Sequence, residues 1–119
     1  MMHTLTQILA LFVALLHFYF MYIEMFLWTK PKGLKAFGLK KDFAEQSKVL
    51  AANQGLYNGF LASGIVWAVF AHQKPALVFF LACVVIAGIY GAFSTKKIKL
   101  FYVQSVPALV ALAATFLIK

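Results

Sequence analysis

Apolar residues run along this chain in four long blocks, 5–28, 49–71, 76–93 and 100–118, parted by short stretches where the lysines collect. The blocks hold 18 to 24 residues each, whereas a hydrocarbon core about 30 Å thick needs about 20 residues of helix or about 10 of tilted strand. Backbone in lipid has to satisfy its own hydrogen bonds, so blocks of this length predict helices and not barrel strands. The pattern therefore predicts an all-α, polytopic membrane protein: one four-helix transmembrane domain over the 119 residues, with helices over about 4–28, 43–71, 75–94 and 99–118.

The punctuation between blocks supports this division. The first block has no lysine ahead of it, is long, and carries His17 and Glu24 where a cleavable leader would be apolar, so it reads as an uncleaved helix. Trp28 marks its interfacial end, and the run Lys30, Pro31, Lys32, Gly33, Lys35 stops the helix among headgroups. Asp42 followed by Glu45 has the form of a capping box that starts the second helix in water, before it enters the bilayer near Lys48. Lys74 and Pro75 predict a tight turn before the third helix, and Pro107 a bend in the fourth near Val103.

Composition removes the soluble alternative. Hydrophobic residues make up 64% of the chain and charged ones 12%, with a mean hydropathy of +0.88, far from the quarter-charged surface of an ordinary soluble domain. The single Cys83 closes no internal disulfide and supports no cysteine metal cluster. All 11 basic residues counted as Lys or Arg are lysines. Lys30, Lys32, Lys35, Lys40, Lys41, Lys48, Lys96, Lys97 and Lys99 fall on one side of the predicted membrane, and only Lys74 and Lys119 on the other. Short basic loops stay in the cytoplasm, so both termini are predicted outside. The net charge of +8 is then accounted for by this bias and by anionic lipid headgroups at the lysine-rich loops. Nucleic acid is not an expected partner, because no soluble domain is present to carry a binding face.

Polar residues inside the blocks carry the functional information, since each has to face protein or water. In the first helix His3, Gln7, Ala10, Ala14, His17, Met21, Glu24 and Trp28 recur at spacings of four and three, on one face. The second helix places Asn53, Gln54, Tyr57 and Asn58 beside a ridge of small residues, Ala51, Gly55, Gly59 and Ser63, that lets a neighbouring helix approach closely. The third offers Gly88, Tyr90 and Gly91, and the fourth Gln104 and Ser105. Counted inward from the cytoplasmic ends, Glu24, Asn53, Tyr90 and Gln104 fall about 7 Å deep and Tyr57, Asn58 and His17 at about 13 to 18 Å. A polar cavity in the cytoplasmic half is the expectation, with Asn53, Tyr90 and Gln104 around Glu24.

Two readings stand for these residues. The amides can simply cross-link helices, and His17 can bond a neighbouring helix. Glu24, an intramembrane carboxylate, points to function, although at its depth it can also reach a lysine or the headgroups. No metal is expected, because no H-x-x-x-H, H-E-x-x-H or clustered Cys/His spacing exists, and no phosphate loop or nucleophile motif calls for a cofactor.

The stretches Glu24-Met25-Phe26-Leu27-Trp28 with Pro31, Ala51-Ala52-Asn53-Gln54-Gly55-Leu56-Tyr57-Asn58-Gly59-Phe60-Leu61-Ala62, Gly88-Ile89-Tyr90-Gly91-Ala92, and Gln104 with Pro107-Ala108 resemble a family of small bacterial integral membrane proteins filed as a domain of unknown function. The resemblance covers almost the whole chain. It implies a four-helix inner-membrane protein whose polar motifs fall on the residues grouped above by depth, and it implies no activity. The function expected from the residues is a carrier or binding protein for a small polar or cationic ligand, lipid-like ligands included. Its ligand-binding residues would be Glu24, His17, Trp28, Asn53, Gln54, Tyr57, Asn58, Tyr90 and Gln104. The alternatives are a membrane-embedded enzyme using Glu24 as acid and base with His17 or Tyr57, and a structural subunit. Self-association into a homo-oligomer is expected in each case.

Overall fold

The computed structural model describes residues 2–118; Met1 and Lys119, the latter one of the two lysines assigned to the outer side, lie outside them. The chain is all-α, with no strand among the described residues. Helix α1 spans Thr4–Tyr22 and continues through a π-helical segment, Ile23–Leu27. A short α2 spans Pro31–Phe37, α3 spans Lys41–Phe70, and α4 spans Lys74–Thr95. A second π-helical segment, Phe101–Ser105, leads directly into α5, Val106–Leu117. Two helices, Thr4–Leu27 and Lys74–Thr95, are long and apolar enough to cross a membrane, and Phe101–Leu117 is a shorter apolar one.

Several local expectations need correction. The lysine-rich run after Trp28 does not simply end a helix: Lys30 is extended (φ −89°, ψ 161°), as a residue before proline prefers, and Pro31 then opens α2. This helix ends at Gly38, whose left-handed backbone (φ 63°) lets its N–H and that of Leu39 return to the carbonyls of Lys35 and Leu34. Asp42 is not a cap, because α3 begins one residue before it and the Ala44 N–H donates to the Lys40 carbonyl. In the first turn its carboxylate complements the positive end of the helix instead. Lys74 and Pro75 are the first residues of α4, where a missing N–H costs nothing. The reversal before them lies at His72, which adopts φ 53° while the Gln73 N–H reaches the Ala68 carbonyl. Near Val103, Pro107 has no N–H to give, and a π-helical segment lies there, with the Val106 N–H donating to the Phe101 carbonyl.

Residue contacts divide the chain into two compact units. The first, residues 16–60, pairs the end of α1 and its π segment with the first half of α3. The two run antiparallel: Gly59 faces Met21, Gly55 faces Met21, Glu24 and Met25, and Trp28 bonds Ser47. Here α2 presses on the π segment so closely that a Cβ on Gly33 would lie 1.9 Å from the Leu27 carbonyl oxygen. Glycine is required there by contact. The small ridge expected on α3 is inward-facing at Ala51, Gly55 and Gly59, whereas Ser63 is exposed.

The second unit comprises the residues up to Leu15 and those from Leu61 onward. Its α4 pairs antiparallel with the second π segment: Ser105 Oγ donates to the Val85 carbonyl (2.8 Å), and a Cβ on Gly88 would meet Ser105 Oγ at 2.2 Å and its backbone nitrogen at 2.9 Å. Thr6 ties α1 to α5 by donating to the Ala114 carbonyl (3.3 Å), and Thr115 donates within α5 to Ala111 (2.7 Å).

Burial is inverted relative to a soluble protein. None of the 13 phenylalanines is buried, although phenylalanine is ordinarily among the residues most often found inside. Buried positions are dominated by alanine instead, including Ala10, Ala14, Ala62, Ala68, Ala108 and Ala111.

These contacts rank the glycines. Gly88→Ala is expected to destabilise the protein by about 1–3 kcal/mol, since the added methyl meets backbone that cannot move aside cheaply. Gly91→Ala, whose Cβ would meet Leu100 Cδ1 at 3.6 Å, is expected to leave stability unchanged or improved. Melting curves of the two variants in detergent, read against wild type, check the order.

Candidate functional site

Glu24 occupies the first π segment and is only 2% exposed. A π-helical turn carries an extra residue relative to an α-helix and so re-aims the side chains around it. Close approach at Gly55, where a Cβ would lie 3.0 Å from Glu24 Cβ, brings the carboxylate onto the polar face of α3. Gln54 Nε2 donates to Oε2 at 2.7 Å, and Asn58 Nδ2 donates a short hydrogen bond to Oε1. The donors are four residues apart, which places them on successive turns of one helix face, so each carboxylate oxygen receives one amide.

The expected neighbours of Glu24 are therefore partly replaced. Asn53 is exposed and does not reach it; one residue further along α3, Gln54 does. Tyr90 and Gln104 belong to the second unit, where Tyr90 is 67% exposed and Gln104 sits in the second π segment with its Cβ against Gly88. Tyr57, at 58% exposed, packs edge-on against Phe60. His17 is buried and meets Phe20 edge-on at 5.2 Å between ring centres. Among the described residues no lysine bonds Glu24, and Lys48 pairs instead with Glu45, at 3.6 Å on the surface of α3.

A pocket of about 340 Å³ opens beside the carboxylate, lined by Glu24, Met25, Phe26, Trp28, Thr29, Lys48, Val49 and Ala52. Two of the nine residues expected to bind ligand, Glu24 and Trp28, line it directly, and Gln54 and Asn58 hold Glu24 from behind. The Trp28 indole is fixed by donating to Ser47 Oγ (3.0 Å), which itself donates to the Phe43 carbonyl (2.7 Å), and it packs at a tilt against Phe37 of α2, with 5.1 Å between ring centres. Lys48, Val49 and Ala52 were not anticipated as lining residues. The spacing of Lys48 and Ala52 at i and i+4 was the available signal, since it puts them on one face.

A second pocket, about 330 Å³, lies in the other unit among Met2, His3, Thr6, His72, Lys74, Thr115 and Ile118. There His3 Nδ1 accepts the Leu5 N–H (3.0 Å) at the start of α1. Among the described residues no group of three or more His, Cys, Asp or Glu is placed to hold a metal ion.

Fold and site together define an all-α protein with two helices able to cross a membrane and a buried, amide-bound carboxylate beside a pocket. Residues 11–116 match the family described as "Protein of unknown function (DUF1304)", and the chain belongs to that family. It is 34% identical over 119 residues to the "Uncharacterized protein YpaA" of Lactococcus lactis subsp. lactis (strain IL1403), with 97% of this chain and 99% of the relative covered. No solved structure matches.

The two amide donors and their neighbour should separate on mutation. Asn58→Ala is expected to cost about 1–3 kcal/mol, because it leaves a buried carboxylate oxygen without its donor. Asn53→Ala, at an exposed position of the same helix, is expected to stay within about 0.5 kcal/mol of wild type. Thermal or denaturant unfolding of the two variants checks this.

Proposed function

We propose that the chain is a multi-pass protein of the bacterial cytoplasmic membrane, with four spans and both termini outside, that holds a small cationic ligand against Glu24 as a carrier or binding protein. The observation that supports the binding role is the setting of Glu24: a buried carboxylate with one amide on each oxygen, no cationic side chain among the described residues bonded to it, and a pocket alongside. Taking a carboxylate out of water costs several kcal/mol unless it is paired. Amide bonds offset part of that cost, and a cation entering the pocket offsets more. Trp28 and Phe26 supply aromatic faces that suit an ammonium group.

Support for the membrane setting comes from the inverted burial as well as from helix length. Large apolar side chains turned outward and alanines turned inward are the arrangement that packs helices in lipid, where no hydrophobic gain comes from hiding phenylalanine. At 30 residues α3 is about 45 Å long, enough to cross and to extend beyond the bilayer at its charged first turns.

Topology is tested by thiol labelling in a Cys83→Ala background. A membrane-impermeant reagent applied to intact cells is expected to label Lys74→Cys and to spare Lys35→Cys and Lys97→Cys. The reverse pattern overturns the orientation.

The binding role is tested with ethanolamine, protonated at neutral pH, as the probe. It is expected to raise the melting temperature of the purified protein beyond the rise produced by sodium chloride at equal ionic strength. Glu24→Gln should fold, because the Gln54 or Asn58 amide can turn its oxygen to the new NH2 group, and should lose that increment. An equal increment in both proteins sinks the counter-charge role.

A further inference from the structure

Resting on the reading of Glu24 as counter-charge, we infer that the pocket takes a zwitterion, an ammonium group against Glu24 and a phosphate against Lys48 joined by a short spacer. This is the aminoethyl-phosphate chemistry shared by a phospholipid headgroup and free phosphoethanolamine.

The pocket is lined by one carboxylate and one ammonium. A simple cation attracted to Glu24 is opposed by Lys48, and a simple anion attracted to Lys48 is opposed by Glu24; in a ligand carrying both charges each of these repulsions is outweighed by a closer attraction. Lys48 is available for this role. Its pair with Glu45 is a surface contact three residues apart, with side chains 59% and 48% exposed, and such pairs hold little energy against an incoming partner.

The placement of the two residues suits a short ligand. Lys48 precedes Gly55, the residue that abuts Glu24, by seven positions of α3, which is about 10 Å along the axis. That offset separates the backbones that carry the two groups, and the flexible four-carbon stem of Lys48 spans part of it, so a ligand whose charges are joined by a short spacer can be met at both ends.

The walls agree with the order of the charges. Trp28 has its N–H engaged by Ser47, so what it offers the pocket is its ring face, which favours an ammonium over a phosphate. Phe26 and Val49, 61% and 75% exposed, put apolar surface on the lining, along which the chains of a lipid can lie while its headgroup is held.

The test compares ethanolamine, inorganic phosphate and phosphoethanolamine by calorimetry on the purified full-length protein in micelles. Phosphoethanolamine is expected to bind at least about tenfold tighter than either fragment, one well-placed charged contact being of that size. In Lys48→Gln its affinity should fall to that of ethanolamine, with ethanolamine binding unchanged or tighter, and Lys48→Arg should restore the preference. Equal binding of ethanolamine and phosphoethanolamine by wild type overturns the zwitterion and leaves the counter-charge reading standing. Equal binding of phosphate and phosphoethanolamine overturns it as well. Ethanolamine binding that survives Glu24→Gln overturns the underlying reading instead. Nanodiscs of phosphatidylethanolamine or phosphatidylglycerol separate the sources. Selective retention of the former by wild type, lost in Lys48→Gln, assigns a lipid headgroup, whereas calorimetric binding of phosphoethanolamine without lipid selectivity assigns the free compound.

Discussion

Helices that keep their large side chains outward can hold together only by bringing their backbones close, and in this protein that closeness is obtained at a few glycines. At Gly88 the partner is the Ser105 backbone, at Gly33 the Leu27 carbonyl, and at Gly55 the turn that carries Glu24. Each contact does more than save space. The approach at Gly88 accompanies the bond from Ser105 to the Val85 carbonyl, and the approach at Gly55 brings the carboxylate of Glu24 within reach of two amides on α3. Polar bonds of this kind contribute about 0.5–1.5 kcal/mol each, and only where backbones are near enough to make them.

Both π-helical segments coincide with polar chemistry. The first contains Glu24 and the second contains Gln104 and Ser105. A π turn sacrifices the regular i to i+4 ladder and re-aims the residues it contains, so it persists where another interaction compensates. For the second segment the compensation is plain: Pro107 cannot donate an N–H, and the ladder is broken near it in any case. The first has no proline within it. There the return is the fit of a carboxylate onto Gln54 and Asn58, with α2 pressed against the segment's end at Gly33.

That fit makes Glu24 a poor candidate for a residue whose place is merely tolerated. A carboxylate reaching out to headgroups would leave its amide neighbours to each other; this one is buried with an amide on each oxygen and borders a pocket that also contains a lysine and an indole. The same arrangement explains why Asn53, although level with Glu24 in the depth count, is not one of the amides that bond it. Depth along a helix axis says how far a residue sits from the interface, whereas the direction of its side chain decides what it meets.

The sequence by itself determined the helical class, the positions of the long helices to within a few residues, the inward face of α1 from Ala10 through Glu24, and the small-residue contacts at Ala51, Gly55 and Gly59. These follow from local rules: apolar block length, a period of three to four, and the absence of a side chain where backbones meet. Tertiary structure decided the rest. Lys30 to Lys35 looked like a helix stop, yet Pro31 starts a helix there, because packing of Gly33 on Leu27 stabilises seven residues that are too short to be helical alone. Gln54 and Asn58, not Asn53, bind Glu24, and Lys48 and Val49 join the pocket, because the register between the end of α1 and the start of α3 is set by which side chains interlock across the pair. No pattern within either segment contains that register; it exists only when both are folded against each other.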